Sequence, residues 1–371
     1  VVRPTRLEVD LDRIAENYRL IAEHVGGRPV MPILKANAYG HGLVEVAARL
    51  AREGVPYVGV AFLEEAILLR EKGIETPILV LGGIMENQIP HFLQHRITLT
   101  ASSLGKLQQI EQAAAEVGMR ALVHLKIDTG MERIGVHHYN ARAFLEESLR
   151  AEHCEIEGIF SHLASADAAD LGYARVQLER FLEVCRFYEE RGVKPPLRHL
   201  ANSGAILQLP ESHLDMVRAG ILLYGVHPSP AVPRAIPVRP ALRWTSRVVY
   251  FKVVRAGDPV SYHSTWRSDH PVRVVTVPVG YGDGYPRALS NRGSVLIRGR
   301  RHPVVGQVCM DQIVVNLESD SAFNADEVVL LGAQDGEEIR VEEIAERAGA
   351  IPYEVLTAIN TRVPRVYKTS A

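Results

Sequence analysis

Lys35 ends the apolar run Met31-Pro32-Ile33-Leu34 and opens KANAYGHG, residues 35–42, a stretch that closes on two glycines. Burial disfavours an ammonium, and a lysine whose pKa is lowered becomes a base or an imine-forming nucleophile. A strand can equally end on a solvated lysine, so the surroundings must decide. Other apolar runs also end in polar residues. KIDTGMERIG (126–135) supplies Lys126, Asp128 and Arg133, and FSHLASAD (160–167) supplies Ser161 and His162. HLANSGA (199–205) ends on Asn202, Ser203 and Gly204, and VRAGILLYG (217–225) carries Arg218, Gly220 and Ile221. Together they suit an anionic, phosphate-bearing cofactor held by Ser203 and by amides near Gly220 and Ile221. Lys35 would form an imine with its aldehyde.

These residues meet only if the runs that carry them are strands of one sheet. VMPIL, VPYVGVAF, TPILVLGG, RITLTAS, RALVHLKID, CEIEGIFSH, LRHLAN and LDMVRAG make eight such runs. Most are apolar on both faces, as parallel strands covered by helices require. Helical patterns such as LEEAILLREKG, SLGKLQQIEQAAAEVG and DLGYARVQLERFLEVCRFYEERG lie between them. Eight strand–helix units predict an α/β chain opening with a (β/α)8 TIM-type barrel, whose site lies at the carboxyl ends of the strands. An open doubly wound sheet is the alternative, weakened because no Gly-x-Gly-x-x-Gly follows the first strand. The proline-rich HPSPAVPRAIPVRP (227–240) reads as a linker. Beyond it strand-like runs dominate (WTSRVVYFKVV, VRVVTVPVG, GSVLIRG, HPVVGQVCMDQIVVNL, EVVLLGA), with one short helix, VEEIAERAG. The expected division is a barrel over 1–232 and a mostly β domain over 233–371, with residues 1–10 able to pair with the second. At 371 residues two domains are the default.

With 47% hydrophobic and 23% charged residues and a net charge of −2, the chain gives no reason to expect nucleic acid or membrane partners. No apolar stretch approaches the roughly 20 residues of a membrane span. Acidic residues interrupt every possible signal-peptide core in VVRPTRLEVDLDRIAENYRL. Three cysteines (Cys154, Cys185 and Cys309), without Cys-x-x-Cys, predict reduced thiols in a cytoplasmic protein and no metal site.

These motifs, with VSYHSTW (260–266), GYGDGYPR (280–287), GQVCMDQ (306–312), PYEV (352–355) and RVPR (362–365), resemble the alanine racemases over nearly the whole chain. Those are pyridoxal-phosphate enzymes of barrel-plus-β-domain build. The resemblance implies a homodimer that racemises L-alanine to D-alanine for cell-wall peptidoglycan. Lys35 would carry the cofactor and act as one acid–base group, and Tyr262 of the partner subunit would be the other, on the opposite face of the substrate. Tyr39, Ser203, Gly220, Ile221 and Tyr353 would hold the phosphate. Arg133 and the Met310 amide would hold the substrate carboxylate, with Tyr281, Cys309 and Asp311 supporting the mouth. Arg218 would donate to the pyridine nitrogen and keep it unprotonated. His162 either orients Arg218 or is a core histidine. Lys126 is either carbamylated, accepting from Arg133, or a plain lysine paired with Asp128. His263 stands where many relatives have glycine. Glu132, beside Arg133, either weakens carboxylate capture or points to solvent.

Three other readings compete. A decarboxylase of the same architecture needs an acid where Arg218 stands. A racemase acting on serine or on several amino acids fits the same motifs. A non-catalytic pyridoxal-phosphate protein would share the barrel but lack the domain bearing Tyr262 and Met310.

Overall fold

The computed structural model describes residues 2–369. Eight parallel strands form a closed ring: Val30–Pro32, Val58–Val60, Ile78–Val80, Leu99–Ala101, Ala121–Asp128, Cys154–Phe160, Leu197–His199 and Val217–Ala219. Five adjacent pairs are extended ladders, including the closing pair of last and first strands. Single bridges at Ile33–Gly59, Leu79–Thr98 and His199–Met216 complete the circle. Five of the strands are only three residues long with every side chain buried, as a barrel wrapped by helices requires.

The helices start and stop on local chemistry. Ser103 Oγ caps Leu104–Val117 by accepting from Lys106 N, and Gly118, at φ +62°, ends it. Glu65 reaches back to the Ala61 and Phe62 amides at the start of Leu63–Glu71. Gly172–Glu190 buries Ala174, Gln177, Leu178, Phe181, Val184, Cys185 and Tyr188, a stripe at helical spacing. Among the described residues no helix is long and apolar enough to cross a membrane.

The second compact unit comprises the chain up to Arg13, Tyr39–Gly42 and everything from Pro240 onward. The division thus falls after Arg239, at the end of the proline-rich segment rather than at 232/233, and four residues of KANAYGHG cluster with the β unit. Its main sheet runs Tyr250–Val254, Val272–Val277, Ile313–Glu318, Arg300–Val305, Ser294–Ile297, Glu327–Gln334, Leu242–Arg247, Arg6–Asp10, Arg365–Lys368. All neighbours are antiparallel except the last two.

Three predicted elements differ. WTSRVVYFKVV is two strands, broken at Val248 and Val249. HPVVGQVCMDQIVVNL is also two, because the chain turns at Gly306, φ +74°, where a Cβ would lie 2.7 Å from both the Cβ of Ser261 and the Val260 carbonyl. The loop so released carries GQVCMDQ. A second late helix, Pro352–Ala358, starts with proline in its first turn, so PYEV is helical.

Gly158 pairs with His124 across the fifth and sixth barrel strands, and a Cβ there would lie 2.5 Å from the His124 ring. Gly158→Ala is therefore expected to cost about 1–3 kcal/mol through overpacking, read as a lower urea midpoint. An unchanged midpoint would mean that the ring gives way freely.

Candidate active site

Lys35 is half-buried at the end of the first barrel strand. The four residues after it, Ala36 to Tyr39, have φ of 53°, 56°, 53° and 51°, followed by Gly40 at 82°. Consecutive L-residues in the left-handed region are strained and persist only where their surroundings hold them. Here Glu65 Oε1 accepts from Ala36 N at 2.7 Å, and Asn37 Oδ1 accepts from Leu43 N at 2.8 Å. Burial, then the Arg133 and Arg218 charges, lower the Lys35 pKa against the opposing Glu65.

Arg218 lies 4% exposed in the barrel, with burial pulling its guanidinium down to about 9, still charged at neutral pH. Nη1 donates to His199 Nδ1 and His199 O, both at 2.9 Å. Nη2 donates to Ser161 O at 2.7 Å, Leu200 O at 3.0 Å and His162 Nδ1 at 3.3 Å. A guanidinium only donates, so His199 must accept at Nδ1 and carry its proton on Nε2. That proton goes to His124 Nδ1, 2.9 Å away, which leaves the His124 proton on a buried Nε2 with no partner among the described residues. The Phe160 ring stacks on His199, 4.7 Å between centroids, and faces Lys126 Nζ at 4.3 Å.

Lys126 is 4% exposed, and burial with the Arg218 and Arg133 charges drives its pKa well below the lysine range. No ion pair joins it to Asp128. The Asp128 carboxylate is spent on backbone instead, Oδ1 accepting from Gly130, Met131 and Glu132 and Oδ2 from Arg133. Those bonds hold Asp128 below the usual carboxylate range despite burial. Arg133 thus stands exposed on a braced turn. Glu132, at φ +53°, pairs with His137 Nε2 at 2.8 Å and is mostly exposed. A small pocket is lined by Lys126, Asp128, Arg133, Ser161 and His162 among others. After the seventh strand, Ser203 Oγ accepts from Gly220 N at 3.0 Å and Leu222 N at 3.4 Å.

The remaining candidates lie in the β unit. Tyr39 and Tyr353 are 6.0 Å apart between ring centroids, and burial raises the Tyr39 pKa. Tyr262 is 66% exposed on a contorted stretch where Ser261, His263 and Ser264 all have positive φ. His263, at φ 61°, occupies a conformation that glycine adopts without strain. Cys309 O and Met310 O accept from Tyr281 N and Gly282 N, so GYGDGYPR and GQVCMDQ pack backbone to backbone, with Tyr281 and Met310 exposed. The Met310 amide makes no hydrogen bond among the described residues. Asp311 accepts from Arg362, which also binds the fully buried Asp283 together with Arg3.

The family described as "Alanine racemase, N-terminal domain" matches residues 9–228, and "Alanine racemase, C-terminal domain" matches 241–367. The chain belongs to the alanine racemase family. It is 44% identical to alanine racemase 2 of Caldanaerobacter subterraneus subsp. tengcongensis, over 99% of this chain and 95% of that one. The alanine racemase of Symbiobacterium thermophilum is also 44% identical, over 99% and 97%. Among solved structures, alanine racemase from Clostridium difficile 630 superposes with a TM-score of 0.94 at 37% identity, covering 100% of this chain and 97% of that one. The Bartonella henselae alanine racemase with covalently bound pyridoxal phosphate gives 0.89 at 28% identity, covering 98% and 99%.

Alanine racemases depend on pyridoxal phosphate, and the barrel's donors fit that group. Among the described residues every side-chain hydrogen bond of Arg218 comes from Nη1 or Nη2, which leaves Nε to donate to a ring nitrogen. Ser203 Oγ already accepts twice, so its own proton is free for a phosphate oxygen. The Ile221 amide beside it makes no hydrogen bond among the described residues.

His199, His124, Glu65 and Asp283 were not singled out from sequence. His124 had a signal: His124, Lys126 and Asp128 alternate along one strand, so all three face the same way. Burial and the Arg218 charge hold His124 (to about 3), His199 and His162 far below an imidazole's 6.5. Below pH of about 6.5 the unfolded chain therefore binds more protons than the folded one, and stability falls with pH down to about 3. The unfolding free energy from urea titrations is expected to be level near neutrality and to decline below about pH 6.5, by about 1.4 kcal/mol per pH unit for each such histidine. His124→Asn should decline less steeply; an identical slope would contradict the assignment.

Proposed function

We propose that this chain interconverts L- and D-alanine by two-base racemisation, in a cytoplasmic homodimer that supplies D-alanine for peptidoglycan. The observation that carries the reading is the barrel mouth, where Lys35, Lys126, Arg133 and Arg218 gather around histidines held neutral. Such a field suits a phosphate and a carboxylate together. Pyridoxal phosphate, carried by Lys35 at rest and by the substrate's amine during turnover, would supply the electron sink that makes the Cα–H acidic and leave the Lys35 amine free.

Lys35 Nζ removes or returns the Cα proton on one face, and the phenol oxygen of the partner subunit's Tyr262 does so on the other. Arg218 Nε would donate to the ring nitrogen and, having no acceptor to offer a protonated one, would keep the sink shallow, so that protonation returns to Cα. Ser203, Gly220, Ile221, Tyr39 and Tyr353 hold the phosphate. Arg133 and the Met310 amide bind the carboxylate, and Tyr281, Cys309 and Asp311 shape the approach. Lys126 acts as a carbamate that accepts from Arg133. This is supported by its burial among cations with Asp128 committed elsewhere.

Tyr262→Phe is expected to retain pyridoxal phosphate and lose nearly all racemisation. A purified heterodimer of Lys35→Ala and Tyr262→Phe chains should recover about half of the wild-type activity, since one of its two shared sites is intact. Full activity of Tyr262→Phe, or an inactive heterodimer, would contradict the shared two-base site. For Lys126, bicarbonate labelled with carbon-13 should give a carbamate resonance that disappears in Lys126→Ala. Its absence from the wild type would leave Lys126 an unmodified lysine.

A further inference from the structure

We propose that Gln177 is a positioning residue for the reaction, its buried amide locking the loop that carries Arg133 to the loop that carries His162. The inference rests on the carboxylate and cofactor roles proposed for Arg133 and Arg218.

Gln177 lies in the helix Gly172–Glu190, fully buried in a stripe otherwise built from Ala174, Leu178 and Phe181. An amide in such a stripe is costly unless its hydrogen bonds are made. Here all of them go to the mouth of the barrel. Nε2 donates to His162 O at 3.0 Å and to Thr129 Oγ1 at 3.3 Å, and Oε1 accepts from Ala164 N at 2.9 Å. Thr129 Oγ1 in turn lies 2.8 Å from Ser161 Oγ, and Ser161 O accepts from Arg218 Nη2 at 2.7 Å. A continuous buried path therefore joins Gln177 to the guanidinium.

Tyr173 and Arg180, four residues before and three after, share the face of Gln177 and grip the same loop. Tyr173 Oη donates to Gly130 O and Arg180 Nη1 to Thr129 O, both at 2.9 Å. Gly130 sits at φ +133°, and a Cβ there would collide with the Tyr173 hydroxyl. The helix thus clamps Thr129 and Gly130 from outside, while Asp128 clamps the Gly130–Arg133 amides from inside. Arg133 has no side-chain hydrogen bond among the described residues, and its backbone is placed by this doubly held turn.

The test uses pyridoxal-phosphate-loaded enzyme with Gln177→Met, similar in length but unable to make these bonds, and Tyr173→Phe, which deletes one exposed hydroxyl. Expected for Gln177→Met is a rise of about tenfold in KM for alanine, matched by the inhibition constant of propionate, a carboxylate without an amine. The kcat should fall less, and the visible absorption of the bound cofactor should shift as Arg218 moves. Tyr173→Phe should raise KM about twofold to threefold with kcat unchanged, and it decides the matter if Gln177→Met does not fold. Reduced thermal stability with KM, propionate affinity and spectrum unchanged would make Gln177 an ordinary core residue and overturn the proposal. Should the wild type fail to turn over alanine, the functional reading falls, while propionate binding and the cofactor spectrum still decide the role of Gln177.

Discussion

A guanidinium buried inside a barrel cannot shed its charge, so the surrounding chain must supply acceptors for it. Arg218 finds five: the carbonyls of Ser161, His199 and Leu200 and the Nδ1 atoms of His162 and His199. Three of these are backbone atoms at the carboxyl ends of the sixth and seventh strands. The charge can be satisfied only when those strands end in register with the eighth. Much else follows from this. His162 and His199 must be neutral to accept, Lys126 cannot remain a comfortable ammonium nearby, and His124 is recruited to receive the proton that His199 turns away from the arginine.

The barrel was largely legible in the sequence because its strands are short, apolar on both faces and separated by amphipathic helices. All eight runs appear as strands, and the barrel's candidate residues stand at or follow their carboxyl ends. The β unit was harder to read. WTSRVVYFKVV and HPVVGQVCMDQIVVNL look continuous by composition, since strand propensity does not register a turn forced by packing. The break at Gly306 depends on its contact with Ser261 and Val260, which are 45 or more residues away in sequence. Pro352–Ala358 is too short for periodicity to reveal.

Within the site, residue types exposed the charged groups but not their partners. Lys126 and Asp128 look like a natural pair by spacing, yet the strand places the Asp128 carboxylate beneath the turn it braces, and four amides take it. His199 lies in a motif that sequence reading valued for its serine. Gln177 falls on the apolar stripe of a long helix, where a lone amide looks like noise. Its meaning comes from two loops, at Thr129 and at His162, that only the closed barrel brings beside it. His263 stands where the resemblance leads one to expect glycine, and its positive φ is a conformation that glycine adopts without strain.

The most direct test of the account is incubation of the pyridoxal-phosphate-loaded protein with L-alanine in heavy water, followed by chiral separation and mass spectrometry. Two acid–base groups on opposite faces predict D-alanine carrying deuterium at Cα. Deuterium entering L-alanine without formation of D-alanine would mean that only one face works, which would contradict the pairing of Lys35 with Tyr262.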